Sequence, residues 1–366
     1  MLALERLSAV VRPSCDFNGA TPEASWRLLF TKLQKRFGLL VVSGLTISVN
    51  CFIVCLYSAR LHKSKFISVP GSYNYPLFFL SDVLTGAAEN FENTITAFKH
   101  ARSIGMEMLE LDCQLTKDKQ IVVSHDDHLL RISGEDLLVQ EVNYQDLPCL
   151  SCPLAVTFTK GDMCTSESTD RKIPLLRDVF EEFKDFPINL DIKRNDDELI
   201  NGVLDLIKEY KREAITIVGN FSGKIVDKVH KKFPEVPLIM GMSCLVKVVL
   251  LTYTGLLPFF PLKESYIEIP TGTLINDLEW TKDAGCALRT ALKLYDLLVI
   301  RPCLFRHLQR RGIKIYLWVL NSEREWSRAI SLGADGIMTD YPSKLKQFCD
   351  ERGFCNSRDP LLQNRL

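Results

Sequence analysis

Glu110 and Asp112 stand two residues apart in the run L-E-L-D, so on a β-strand they project to one face while Leu109 and Leu111 turn to the other. Two carboxylates buried together repel, and one takes up a proton unless a cation lies between them. Asp191, in N-L-D-I-K, would add a third oxygen ligand from a neighbouring strand. Carboxylate and water oxygens suit a hard divalent cation, Mg2+ or Ca2+, better than zinc, and do not choose between those two. Either acidic site alone would be read as the polar face of an exposed strand. His125, in V-V-S-H-D, follows a short β run and a turn at 117–120, and its imidazole is suited to general acid work toward a leaving oxygen. A lone histidine is ordinarily structural; its place shortly after L-E-L-D-C-Q-L-T-K-D assigns this one to chemistry.

Strands must carry these groups, and the sequence supplies them at intervals. Short apolar runs fall at 77–81, 108–115, 188–193, 214–219, 236–241, 265–269, 313–320 and 335–340. Longer helical patterns separate them, such as E-N-T-I-T-A-F-K-H-A-R-S-I-G with Ile95, Phe98 and Ala101 on one stripe, and D-E-L-I-N-G-V-L-D-L-I-K-E-Y with Leu199, Val203, Leu206 and Ile207 on another. Alternation of this kind predicts parallel strands joined by crossover helices, and eight such strands close an α/β barrel of the TIM type, (β/α)8. Catalytic groups in such barrels come from strand ends and the loops after them, where the carboxylates fall.

The chain of 366 residues could hold one such barrel, typically about 250 residues, or two smaller domains. Its 45 basic and 45 acidic side chains cancel, which gives no global field toward nucleic acid; phosphate binding has to be local. The 12 cysteines form no compact disulfide framework, and Cys149 and Cys152, flanked by Pro148 and Pro153, read as a plain loop pair. From Gly38 to Tyr57 the sequence carries no charge over the length that crosses a hydrocarbon core, although Ser43, Thr46, Ser48 and Asn50 interrupt it. The expected organisation is a tail at 1–37, an uncleaved transmembrane helix at 38–57, a linker at 58–75, the barrel at 76–350 and a tail at 351–366. The protein is thus expected on a phospholipid membrane as a single-pass protein, in the endoplasmic reticulum or another intracellular membrane. The flanking charges Arg27, Lys32, Lys35 and Arg36 against Arg60, Lys63 and Lys65 do not orient it. A second apolar stretch, Met242 to Pro261, is interrupted by Lys247 and Pro258; it is a buried helix, a second span, or, as favoured here, a lip dipping into the membrane to admit a lipid.

The motifs E-N-F-E-N-T at 89–94, L-E-L-D-C-Q-L-T-K-D at 109–118, V-V-S-H-D at 122–126, L-D-I-K at 190–193 and G-A-D-G-I-M-T-D-Y-P at 333–342 resemble the glycerophosphodiester phosphodiesterase family. Within it, T-G-L-L-P-F at 254–259 is similar to the small membrane-anchored members of the lysophospholipase D type. The resemblance implies a divalent cation held by Glu110, Asp112 and Asp191, and cleavage of a phosphodiester beside a glycerol in a glycerophosphodiester or lysophospholipid substrate. It also implies two histidines as acid and base, attack by the neighbouring glycerol hydroxyl through a cyclic phosphate, Lys193 against the phosphate, and Trp318 near the substrate.

The chain departs from the family at the first strand. A His-Arg-Gly motif should precede E-N-F-E-N-T, but Val83 and Leu84 stand where the histidine and arginine belong, and residues 63–99 contain neither type. Setting K-S-K-F-I-S-V at 63–69 against that strand does not recover the pair. One member of an acid–base pair contributes roughly 10²- to 10⁴-fold, so weak turnover on an intact cation site is expected. The competing expectation is a pseudoenzyme that binds a phosphodiester headgroup without useful turnover.

Overall fold

A computed structural model describes residues 78–82, 87–159, 161–271 and 286–354. The expected membrane helix at 38–57, its tail and linker, Val83, Leu84 and residues 355–366 lie outside them. The barrel belongs to one unit, Phe66–Thr252 with Phe259–Leu366; Tyr253–Pro258 falls outside that unit.

The strands are β1 (Phe78–Asp82), β2 (Met108–Leu115), β3 (Ile121–Val123), β4 (Leu154–Ala155), β5 (Met163–Cys164), β6 (Ile188–Ile192), β7 (Thr216–Gly219), β8 (Tyr266–Pro270), β9 (Lys314–Trp318) and β10 (Gly336–Met338). Helices α1 (Ile95–Ser103), α2 (Leu130–Ser133), α3 (Leu176–Glu182), α4 (Asp197–Glu209), α5 (Gly223–Lys232), α6 (Met242–Tyr253), α7 (Cys286–Val299), α8 (Pro302–Gln309), α9 (Glu323–Leu332) and α10 (Pro342–Glu351) fill the crossovers.

Strands pair in the order β7-β6-β2-β1-β10-β9-β8. The remaining gap is closed by the expected run at 236–241, through parallel bridges from Val218 to Leu238 and from Ile239 to Tyr266. That run makes only isolated bridges because Pro237 has no N–H to donate, although its carbonyl accepts from Val218 N at 2.9 Å. Gly219 lies so close to Ile239 that a methyl group there would collide with its side chain. The ring is therefore closed, as the strand count requires of a TIM-type barrel.

Helix starts follow their capping residues. Thr94 accepts from Ala97 N at 3.2 Å ahead of α1, and Asp196 accepts from Glu198 N and Leu199 N ahead of α4. Ser322 and Glu325 form a capping box on α9, which Gly333 ends at φ +76°. The expected stripe on α4 is buried with Ile200 and Leu204 added, whereas α1 buries Ala97 beside Phe98 and Ala101 in place of Ile95.

Inside the barrel, polarity rises toward the carboxyl ends of the strands. Met108 packs with Ile217, Ile239, Tyr316 and Met338 in an apolar cluster. Above it, Asn189 Nδ2 donates to Glu268 Oε1 at 2.6 Å, linking β6 to β8. The next inward residues are Asp112 and Asp191, at the mouth. Between β3 and α3 the chain builds a satellite core of Leu129, Ile132, Leu150, Leu154 and Cys164 beside the same mouth. Cys149 and Cys152 are exposed free thiols there.

The stretch from Met242 to Pro261 holds α6 and a short 3-10 turn, Leu257–Phe259. At 12 residues α6 is about 18 Å long, short of a hydrocarbon core of roughly 30 Å, and no helix among the described residues is long and apolar enough to cross a membrane.

Arg212 is fully buried, and burial lowers its pKa only to about 10, so it stays charged at neutral pH. Its guanidinium donates to the carbonyls of Phe183, Lys184 and Phe186 at 2.7, 2.7 and 2.6 Å, and its carbon lies 4.6 Å from the Phe180 ring centre. These bonds tie the end of α3 to the start of β7. Arg212→Met removes every donor and leaves the carbonyls buried. Chemical denaturation should show a loss of about 3 kcal/mol; a loss under about 1 kcal/mol would mean that water satisfies them instead.

Candidate active site

The parallel register of β2 and β6 sets Asp112 opposite Asp191 and Glu110 opposite Asn189. Asp112 is 0% exposed and Glu110 6%, so both carboxylates sit in a low-dielectric interior. Lys193 follows Asp191 by two residues, on the same side, where its amide donates to Cys113 O at 3.3 Å and extends the β2–β6 pairing. Its Nζ lies 2.5 Å from Asp112 Oδ1 and 2.8 Å from Asp191 Oδ2. Burial opposes the ammonium charge, but Asp112, Asp191 and Glu110 outweigh it and hold the Lys193 pKa well above its usual range. Asn220, directly after β7, donates to the other oxygen of Asp191 at 2.6 Å. Asp112 Oδ2 is buried with no hydrogen-bond partner.

Of the three expected cation ligands, Asp112 and Asp191 thus stand side by side on adjoining strands, and Glu110 lies one layer below them, level with Asn189. Among the described residues no three carboxylate, imidazole or thiolate groups close up enough to enclose a metal ion, and the Lys193 ammonium stands between two of the three. The donor set nonetheless fits a hard divalent cation. It offers only carboxylate oxygens, one buried oxygen lacks a partner, and three carboxylates against one ammonium leave two negative charges in excess.

His125 is held beside this group by backbone pairing. Cys113 pairs with Val123, and Ser124 N donates to Asp112 O at 3.0 Å, so His125 emerges next to Asp112. Its Nδ1 is 2.6 Å from Asp126 Oδ1. Arg131 on α2 donates from Nε to Asp126 Oδ2 at 2.6 Å and grips Glu92 with both terminal nitrogens at 2.5 and 3.0 Å. Glu92 is 2% exposed, which anchors the relay in the interior. Burial opposes the His125 charge, but the field of Asp112 and the contact with Asp126 exceed it and raise the His125 pKa. Burial also opposes the Asp126 charge, and the bonds from His125 and Arg131 reverse that, holding its carboxyl well below the usual carboxylate range.

Trp318, at the end of β9, reaches the same mouth through Phe158. The His125 and Phe158 ring centres are 6.3 Å apart, and those of Phe158 and Trp318 6.0 Å, both edge to face. Asn321 fastens the Phe158 loop to the barrel, donating to Thr159 Oγ1 at 2.8 Å and to Asp340 Oδ2 at 2.6 Å, while Tyr341 donates to Asp162. A cleft of about 500 Å³ opens here, lined by Gln114, His125, Asp126, His128, Lys193 and Arg194 among others.

All six residues singled out in the sequence therefore lie at the carboxyl end of the barrel. Sequence reasoning missed Asp126, Arg131, Glu92, Asn220 and Phe158. Asp126 and Glu92 lie within the motifs V-V-S-H-D and E-N-F-E-N-T, and Asn220 directly follows a strand, so a signal existed for these three. None marked Arg131, whose partner Glu92 is 39 residues away, or Phe158, which sits in an irregular loop.

A closed parallel barrel with carboxylates, a paired lysine and an oriented imidazole at its carboxyl end has the form of an α/β-barrel enzyme, whose active sites lie at that end. The glycerophosphoryl diester phosphodiesterase family model matches residues 71–243, and a second model of that description matches 314–343. The chain is 44% identical over 303 residues to lysophospholipase D GDPD1 of Rattus norvegicus, covering 82% of this chain and 93% of that protein. It is 35% identical to lysophospholipase D GDPD3 of Homo sapiens, covering 73% and 84%. A solved glycerophosphoryl diester phosphodiesterase from Silicibacter pomeroyi, described as putative in its own name, superposes with a TM-score of 0.57 at 17% identity, covering 77% of this chain and 95% of that one. An Oleispira antarctica phosphodiesterase solved in complex with the product sn-glycerol-3-phosphate gives 0.53 at 16% identity, covering 75% and 97%; at these identities both show the fold. The chain belongs to the glycerophosphoryl diester phosphodiesterase family, and is by that membership a phosphoric diester hydrolase.

The His125–Asp126 contact has a direct test. A folded-state pKa above the ordinary 6.5 means that the contact stabilises the fold below that value, and that its contribution is lost as pH rises through the raised one. In Asp126→Asn the His125 midpoint, followed by NMR of the ring protons, should move to lower pH; an unchanged midpoint would show that Asp112 alone sets it.

Proposed function

We propose that this chain hydrolyses the phosphodiester of glycerophosphodiester lipids, lysophospholipids above all, releasing the headgroup alcohol. The observation that carries this is the pairing of Asp112 with Asp191, with Lys193 between them and an oriented His125 beside them, inside a chain whose 44%-identical relative is a lysophospholipase D. Glu110, Asp112 and Asp191 would hold a divalent cation, Mg2+ or Ca2+. When bound, it supplies positive charge to polarise a phosphoryl oxygen. Lys193 sets its ammonium toward the phosphate, and His125, its Nδ1 fixed by Asp126, presents Nε2 as the acid toward the departing alcohol. Phe158 and Trp318 give the mouth an apolar wall for the glycerol carbons.

The absence of the His-Arg pair, with Val83 and Leu84 in its place, supports a second reading in which the chain binds a phosphodiester headgroup and turns it over weakly or not at all. Release of choline from lysophosphatidylcholine by the purified chain, with Mg2+, Ca2+ or chelator, separates the two. The comparison is a variant carrying Val83→His, Leu84→Arg and Thr85→Gly. The native chain should be slower by roughly 10²- to 10⁴-fold, and both should stop with chelator. Equal rates would mean that another group supplies the base; no rate in either would leave the binding reading.

The lip expected at 242–261 becomes a proposal about α6. Val246 and Leu250, one turn apart on that helix, are 51% and 63% exposed, and Phe259 beyond it 51%. This face meets the lipid aggregate that delivers the substrate. Val246→Ser with Leu250→Ser should raise KM severalfold on micellar lysophospholipid and leave turnover of water-soluble glycerophosphocholine unchanged. An equal effect on both substrates would assign the face to folding instead.

A further inference from the structure

Val83 and Leu84 occupy the place where the resemblance expects a His-Arg pair, so a guanidinium for the substrate phosphate would have to come from another part of the chain. Four of the five basic side chains lining the mouth cleft are already engaged. Arg131 holds Glu92 and Asp126, Lys193 holds Asp112 and Asp191, His125 holds Asp126, and His128 Nε2 is 2.6 Å from Asp136. Arg194 is the fifth. It is half-buried, follows Lys193 directly on the loop between β6 and α4, and among the described residues has no ion-pair or hydrogen-bond partner.

Carboxylates near it in sequence are occupied. Asp196 Oδ1 accepts from the first amides of α4 at 2.7 and 3.2 Å, Asp197 pairs with Lys228 at 3.0 Å, and Glu198 pairs with Lys119 at 2.6 Å. A guanidinium so placed keeps its planar fork free for two oxygens of one phosphate. Its charge also answers a deficit, because the three carboxylates and one lysine beside it leave the mouth negative, which repels an anionic substrate.

We propose that Arg194 is the phosphate-binding arginine of this chain, gripping the non-bridging oxygens of a glycerol phosphate ester at the cleft wall. The proposal rests on the glycerophosphodiester reading above and names the side chain that holds its anion. Arg194 also borders a neighbouring cleft of about 340 Å³ that includes Thr116, Lys117 and Gln140, so the competing location for an anion is that side, with Lys117.

Calorimetry on the full-length chain, with sn-glycerol 3-phosphate in one arm and inorganic phosphate in the other, decides between them. Arg194→Gln should weaken Kd about tenfold, and Arg194→Lys should recover part of the loss, because it keeps the charge without the fork. Lys117→Gln should bind as the native chain does. Weakening in both arms assigns Arg194 to the phosphate group itself; weakening for the glycerol ester alone assigns it to the ester. A Kd for Arg194→Gln within twofold of native in both arms, or a loss confined to Lys117→Gln, overturns the proposal. Since binding is the readout, an inactive chain that binds through Arg194 sinks the hydrolase reading alone, and an active chain whose Kd ignores Arg194 sinks this one alone.

Discussion

Three carboxylates cannot share the inside of a barrel without positive charge among them, and most of the site follows from how this chain meets that requirement. The register of β2 against β6 puts Asp112 directly beside Asp191. A slip of one residue would turn Leu111 inward and bury the carboxylates under the helices, so register and charge placement are a single constraint. Lys193 meets it from within the strand that creates the problem, two residues after Asp191 on the same side, and Asn220 from β7 meets it for the second oxygen of Asp191. A low dielectric strengthens each of these bonds and makes any missing one costly, so the cluster is rigid when complete.

A second network depends on the first only through proximity. His125 enters the mouth because backbone pairing of β2 with β3 delivers it there, but its ring is set by Asp126, then Arg131, then Glu92. The two ends of this relay differ in surroundings: Glu92 is buried, and His125 opens on the cleft. The arrangement gives a titrating group a fixed orientation at a solvent boundary, which a general acid requires. Thr159, held by Asn321 and Asp340, and Asp162, held by Tyr341, then fix Phe158 beside the imidazole and against Trp318.

What was legible in the sequence follows the range over which each interaction acts. The alternation in L-E-L-D and the position of Asp191 are local, strand-period facts, and the structure keeps them together. The eight apolar runs likewise fell on the barrel staves, even the one at 236–241 that Pro237 reduces to isolated bridges. Lys193, expected against the phosphate, also pairs with Asp112, a contact set by a neighbouring strand and invisible in its own. Arg131 reads in sequence as an ordinary charge on a short helix; its meaning comes from Glu92, 39 residues before it, and no periodicity connects them. Phe158 sits in an irregular loop, where chain path, more than pattern, decides what is touched.

The two networks carry different weight in deciding what the chain does. Glu110, Asp112, Asp191 and Lys193 form one cluster between two central strands, in which losing Lys193 leaves buried carboxylates uncompensated at a cost of about 3–5 kcal/mol. Given the carboxylates, the fold alone is sufficient reason for Lys193, with or without turnover. No such reason covers His125. The barrel ring closes through other strands, and the satellite core packs on apolar residues that do not include it. The imidazole, 24% exposed and aimed by Asp126, Arg131 and Glu92, stands at the boundary of the cleft. That placement supports the proposed role of His125 as an acid at the cleft, in a chain that lacks the histidine expected from its first strand.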